Sequence, residues 1–251
     1  MTCYKIIVAY DGTAYHGWQS QPGETTVCQV LGDTFFKVFD QRIFILGASR
    51  TDAGVHALGQ VAIVRCPIFI PADKVIMAWN NVLPKDIVIR DVQLLDALVH
   101  PHDGVVQKTY MYHFFTQRPM PFVQRYGWHY RRDVDIDLLQ KALNIFVGTH
   151  DFRSFCTGND LQDTIRTIDS VHVEFLKEYE AYRITIKGKS FLRYMVRRIV
   201  GACLEVASQE KLTLDDLVRV FLDKNPCHTL PNSPAKGLVL YQILYSQGGE
   251  V

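Results

Sequence analysis

The chain has 251 residues, of which 48% are hydrophobic and 12% aromatic, enough apolar material for one broad domain or two joined half-domains and too much for a disordered tail. It lacks an apolar run of about 18 residues, and the IIVAY run (6–10) is followed at once by Asp11, so neither a membrane span nor a secretory leader is expected and a cytoplasmic location follows. The net charge of +1 argues on its face against a nucleic-acid partner, and the six scattered cysteines form no CxxC pair, which argues against a disulfide framework or a zinc ribbon.

In chain order, KIIVAY (5–10) predicts a strand ending in the turn signal Asp11-Gly12. Val27, Val30, Leu31, Phe35 and Val38 recur at helical spacing and predict a helix over 26–39. RIFILGA and QVAIVR predict strands on either side of the stretch GASRTDAGVHALG (47–59), and PADKVIMAWNNVL predicts a helix opened by proline. DIVIRDVQLL and KTYMYHFF predict further strands. Asp135 is placed to cap a helix over 136–147 that stops at Gly148, and IDSVHVEFLK with AYRITIKG predicts a hairpin. Helices follow at about 192–207 and at 214–222, the second opened by the capping pattern from Thr213 to Asp216, and GLVLYQILY closes the chain as a strand. The pattern is α+β with two sheet-forming halves, divided here as 1–104 and 105–251.

Charge distribution says more than the total. From Ala181 to Leu204 the residues Arg183, Lys187, Lys189, Arg193, Arg197 and Arg198 occur without an acid, and Arg118, Arg125, Arg131 and Arg132 crowd a second segment. Such runs are ordinarily solvated faces. In the helix bearing the first cluster, Val196, Ile199, Val200, Cys203 and Ala207 share the core face, while Arg193, Arg197 and Gly201 share another. That spacing puts Arg197 at the rim of an apolar face.

The stretch 47–59 asks for a different explanation. An isolated aspartate in a loop is usually a turn residue accepting backbone N–H bonds. Here Gly47 and Gly54 bracket Arg50, Thr51 and Asp52, predicted strands flank the loop on both sides, and no further carboxylate, histidine or cysteine lies at metal-ligand spacing. His56, four residues after Asp52 in an irregular loop, reads as structural. No metal is expected.

ASRTDAGVHA resembles the catalytic loop of the TruA family of tRNA pseudouridine synthases. The resemblance extends, in family order, through YDGTAYHGWQSQP, KTYMYHF, GTHDFRSF, FLRYMVRRIVG and SPAKGLVLYQILY, and so covers nearly the whole chain. It implies the pseudouridine synthase fold, in which two α/β halves with mainly antiparallel sheets join around a central catalytic cleft. It also implies an isomerase that acts without a cofactor on uridines 38 to 40 of the tRNA anticodon arm and works as a homodimer. On that resemblance Asp52 is the nucleophilic carboxylate, Arg197 its ion-pair partner, Arg50 the residue that intrudes into the RNA as the base is extruded, and Tyr110 the ring that stacks on it. Leu238 and Leu240 are then candidates for the uracil pocket wall and equally for plain strand core.

The chain departs from the family pattern at His102 and Asp103, where an arginine and an aromatic are usual, and at Cys28, where a glutamine is usual. Two alternatives stand beside the main reading: a paralogue modifying another tRNA uridine, and a tRNA-folding or tRNA-binding protein in which catalysis is dispensable.

Overall fold

A computed structural model describes residues 1–157 and 162–246. The elements in chain order are β1 (Thr2–Tyr10), α1 (Val27–Phe39), β2 (Phe44–Gly47), β3 (His56–Cys66), α2 (Ala72–Asn80), β4 (Ile87–Leu95) and β5 (Val105–Phe115), then β6 (Trp128–His129), α3 (Ile136–Asn144), β7 (Gly148–Asp151), β8 (Ile165–Leu176), β9 (Ala181–Gly188), α4 (Met195–Ala207), α5 (Leu214–Asp223) and β10 (Leu238–Tyr245). They fall into two compact units, one of Met1–Val106 with the segment from Val239 onward, the other of Gln107–Leu238. The division at 106 runs inside β5, and the closing strand returns to the first unit, a return that chain order does not show.

In the first unit β1 pairs antiparallel with both β3 and β4, and β3 carries two further partners. β2 pairs with its C-terminal part, from Phe44 opposite Arg65 to Gly47 opposite Ala62, and β10 pairs parallel with its start, Val239 opposite His56 and Leu240 opposite Ala57. α1 begins one residue after the expected start, at a cap where the Thr26 hydroxyl accepts from the Gln29 amide. It packs on α2 through Phe35 and Trp79, whose rings meet edge-on at 4.9 Å, and the Trp79 indole N–H is satisfied by Thr34 Oγ1 at 3.0 Å. The Asn80 side chain joins α2 to β4 by taking both backbone groups of Ile89, each at 2.8 Å.

In the second unit β9 lies between β5 and β8 as an antiparallel partner of each, β7 pairs with β8, and β6 runs parallel to the end of β5. The expected hairpin is thus present as β8 and β9. α3 packs on β8 and α4, with Asp135 capping it through the Leu138 amide, and it ends at Asn144, three residues short of the expected Val147. α5 carries the expected capping box between Thr213 and Asp216. α4 starts three residues later than the pattern suggests, because Tyr194 takes the left-handed conformation at φ 63°. Phe146 centres an aromatic core with Phe155 at 4.9 Å, Phe221 at 5.0 Å and Phe152 at 6.2 Å.

Among the described residues no helix is long and apolar enough to cross a membrane. Phe146 is fully buried, so Phe146→Ala removes a ring with no route to solvent and is expected to lower stability by about 3–5 kcal/mol. Urea unfolding of the variant against wild type measures this directly.

Candidate active site

The loop joining β2 to β3 is built so that alternate residues serve different ends. Ala48, Ser49, Thr51 and Val55 are buried, whereas Arg50 is exposed and Asp52 half-buried. Each buried residue is held. Ala48 N–H donates to the Val61 carbonyl at 2.8 Å, the Thr51 hydroxyl meets Tyr10 Oη at 2.7 Å, and the Thr51 carbonyl accepts from Trp18 N–H at 3.1 Å. A turn then closes on Asp52, whose carbonyl accepts from Val55 N–H, and Gly54, at φ 77°, donates its N–H to the Tyr15 carbonyl.

The partners Tyr10, Tyr15 and Trp18 all come from the segment YDGTAYHGW, so two stretches that looked separate in sequence form one packed body. Glycine makes the contact possible. A Cβ on Gly17, which sits at φ 87°, would lie 2.5 Å from the Thr51 carbonyl oxygen, and one on Gly12 would lie 2.0 Å from the Val55 carbonyl oxygen. His56 is buried and accepts the Gly12 N–H at Nδ1, 3.0 Å away, the structural role expected of it. Ser49 is gripped by a residue that pattern reading passed over. Gln60, fully buried on β3, accepts the Ser49 N–H at 3.2 Å and donates to the Ser49 carbonyl at 2.6 Å.

The second unit holds the other two singled-out residues. Tyr110, on β5 opposite Ile186 of β9, is 7% exposed and meets Phe191 edge-on at 5.2 Å. Tyr112 shares that strand face but is fully buried, and its hydroxyl donates to the Pro234 carbonyl at 3.0 Å. Burial pushes the Tyr112 hydroxyl well above its ordinary range, against the opposing charge of Arg197.

Arg197 sits half-buried on α4, as its helical spacing suggests. Its Nε–H donates to the Ser233 carbonyl at 2.8 Å while Ser233 N–H donates back to the Arg197 carbonyl at 3.1 Å, and its guanidinium lies 5.3 Å from the centre of the Tyr194 ring. Gly201, one turn on, lets this segment close in, since a Cβ there would lie 2.3 Å from the Pro231 carbonyl oxygen. Two other members of the basic clusters are neutralised. Arg183 gives two bonds to Glu174 Oε1, and Arg132 bridges Glu205 at 2.7 Å and Glu210 at 2.9 Å. Leu238 and Leu240 are both buried.

Lys108, two residues before Tyr110, is 6% exposed, and burial brings its ammonium down from 10.5 to about 8. Between those values the unfolded chain holds a proton that the folded chain has released, so this group makes stability rise with pH from about 8 to 10.5. Lys108→Met is expected to gain stability relative to wild type at pH 7, an advantage of about 2–3 kcal/mol that fades by pH 10.5; paired denaturation curves at the two pH values read it. Gly17→Ala combines an unfavourable backbone angle with a clash against the loop, and is expected to cost about 1–3 kcal/mol in the same assay.

A family model described as tRNA pseudouridine synthase matches residues 6–102 and 142–246. The tRNA pseudouridine synthase A of Thermodesulfovibrio yellowstonii is 34% identical over 98% of this chain and all of the relative. Its namesake from Chlamydia pneumoniae is 36% identical over 98% of this chain and 93% of the relative, and that of Thermoanaerobacter pseudethanolicus 37% identical over 96% and 98%. With a family match over most of its length and relatives above a third identical end to end, the chain belongs to the tRNA pseudouridine synthase family, a family of isomerases.

Proposed function

We propose that this chain converts uridine to pseudouridine at positions 38 to 40 of the tRNA anticodon arm, with Asp52 as the nucleophile. The loop geometry carries the reading: buried anchors at Ser49 and Thr51 hold the backbone on both sides of Arg50 and before Asp52, while those two side chains keep access to solvent.

The reaction breaks the N1–C1′ bond of the nucleoside and forms a C5–C1′ bond. C5 releases a proton and N1 gains one, so the change is an isomerisation needing neither redox partner nor cofactor. A carboxylate attacks only while ionised, and closure of RNA over it penalises the charge. Arg197 is the proposed counter-charge. The Ser233 clamp and the Tyr194 ring support that role, because they fix the guanidinium in one orientation.

A uridine stacked in an RNA arm reaches a carboxylate only once it is extruded. Exposed Arg50 is the proposed intruder into the stack. Tyr110, braced by Phe191, is the proposed platform for the extruded base, a contact that recognises a base face without reading its edge. Tyr112 is less suited, its hydroxyl being committed to Pro234. The proposed setting is a cytoplasmic homodimer whose two copies embrace one tRNA.

Direct mapping of pseudouridine in tRNA from cells lacking the protein, complemented with wild type or Asp52→Ala, tests the reading. The expected outcome is loss of modification at 38 to 40 that wild type alone restores. Restoration by Asp52→Ala would make the protein a tRNA-binding factor, and loss at another uridine would move the substrate elsewhere.

A further inference from the structure

The β2–β3 ladder runs from Phe44 opposite Arg65 to Gly47 opposite Ala62, and takes one more step where Ala48 N–H meets the Val61 carbonyl. There the two strands part. Ser49, next in line, is 8% exposed, and its peptide groups need partners that water does not supply. Gln60 supplies both, accepting at Oε1 and donating from Nε2, while its own backbone pairs with Val8 of β1. A primary amide has the acceptor and donor pair of a peptide group, so one side chain stands in for the missing stretch of strand. The chain can then leave the sheet toward Arg50 and Asp52 with both Ser49 peptide groups paired.

We propose that Gln60 is a positioning residue for the reaction: its two bonds to the Ser49 backbone set the direction in which the loop carries Asp52. The inference rests on the assignment of Asp52 as the nucleophile. Gln60 is fully buried and has no route to substrate, so its effect passes through the Ser49 peptide. Replacing the donor end by an oxygen sets two acceptors 2.6 Å apart and pushes the Ser49 carbonyl away. Displacement of a reacting group by about 1 Å costs on the order of 100-fold in rate.

Asn80, half-buried, makes the same pair of bonds to Ile89 in the same unit and supplies a control of the same chemistry. Gln60→Glu and Asn80→Asp each turn a clamping amide into a carboxylate. With purified full-length chain and tRNA transcript, Gln60→Glu is expected to lower the single-turnover rate about 100-fold, while the Kd for tRNA moves by less than about 3-fold. Asn80→Asp is expected to lower Tm but to keep the wild-type rate. A wild-type rate in Gln60→Glu, or an equal rate loss in both variants, overturns the proposal.

Asp52→Asn assayed alongside separates two kinds of failure. If it turns over normally, the underlying assignment has failed; if it is inactive while Gln60→Glu is normal, only the positioning role has. Should Gln60→Glu not fold, amide hydrogen exchange on the wild-type protein decides. Protection of the Ser49 N–H comparable to that of β3 is expected, and exchange at the rate of an open loop overturns the proposal.

Discussion

The loop between β2 and β3 has to solve a conflict between two demands. Its backbone lies in a largely buried setting, where every N–H and carbonyl needs a partner, yet two of its polar side chains must face outward. The structure resolves this by splitting the work between neighbours. Ser49 and Thr51 are tied down by Gln60, Tyr10 and Trp18, and the intervening Arg50 and following Asp52 inherit a fixed position from them. The opening segment therefore serves the loop. At Gly12 and Gly17 it lies so close that side chains there would push the loop off its seat.

The second unit uses the same principle with different parts. Arg197 and Ser233 exchange backbone and side-chain bonds, and Gly201 lets the 231–233 segment lie directly on α4. The left-handed Tyr194 at the start of α4 lies beneath two guanidinium groups, those of Arg193 and Arg197. A bulky residue in that backbone region is held there only by its surroundings. Family membership gives the strain a context: the helix carrying it is also the one bearing the proposed counter-charge.

Much of this was legible in the residues. Hydrophobic periodicity found the helices and most strands, and side-chain caps at Asp135 and Thr213 marked two helix starts to the residue. Glycines around Asp52 marked a loop of unusual backbone angles, α+β followed from the alternation of elements, and mainly antiparallel pairing followed from the family resemblance. What stayed hidden depends on distant partners. Nothing local to QVAIVR says that its first residue sends an amide to Ser49, since a glutamine opening a strand looks like a solvent-facing residue. The start of α4 was misplaced because local spacing continues through Tyr194, whose left-handed backbone keeps it out of the helix. The two basic runs read as solvated faces, but Arg183 and Arg132 meet acids from other elements, Glu174 on β8 and Glu205 on α4. Short β6 and β7 have too few residues to show a period.

The account reduces to a carboxylate whose position matters as much as its charge. Single-turnover conversion of uridine in a tRNA transcript by Asp52→Glu and Asp52→Asn separates the two. Glutamate keeps the charge and moves it by one methylene; asparagine keeps the shape and loses the charge. The account predicts that both variants lose activity by orders of magnitude, and near-wild-type conversion by either one would contradict it.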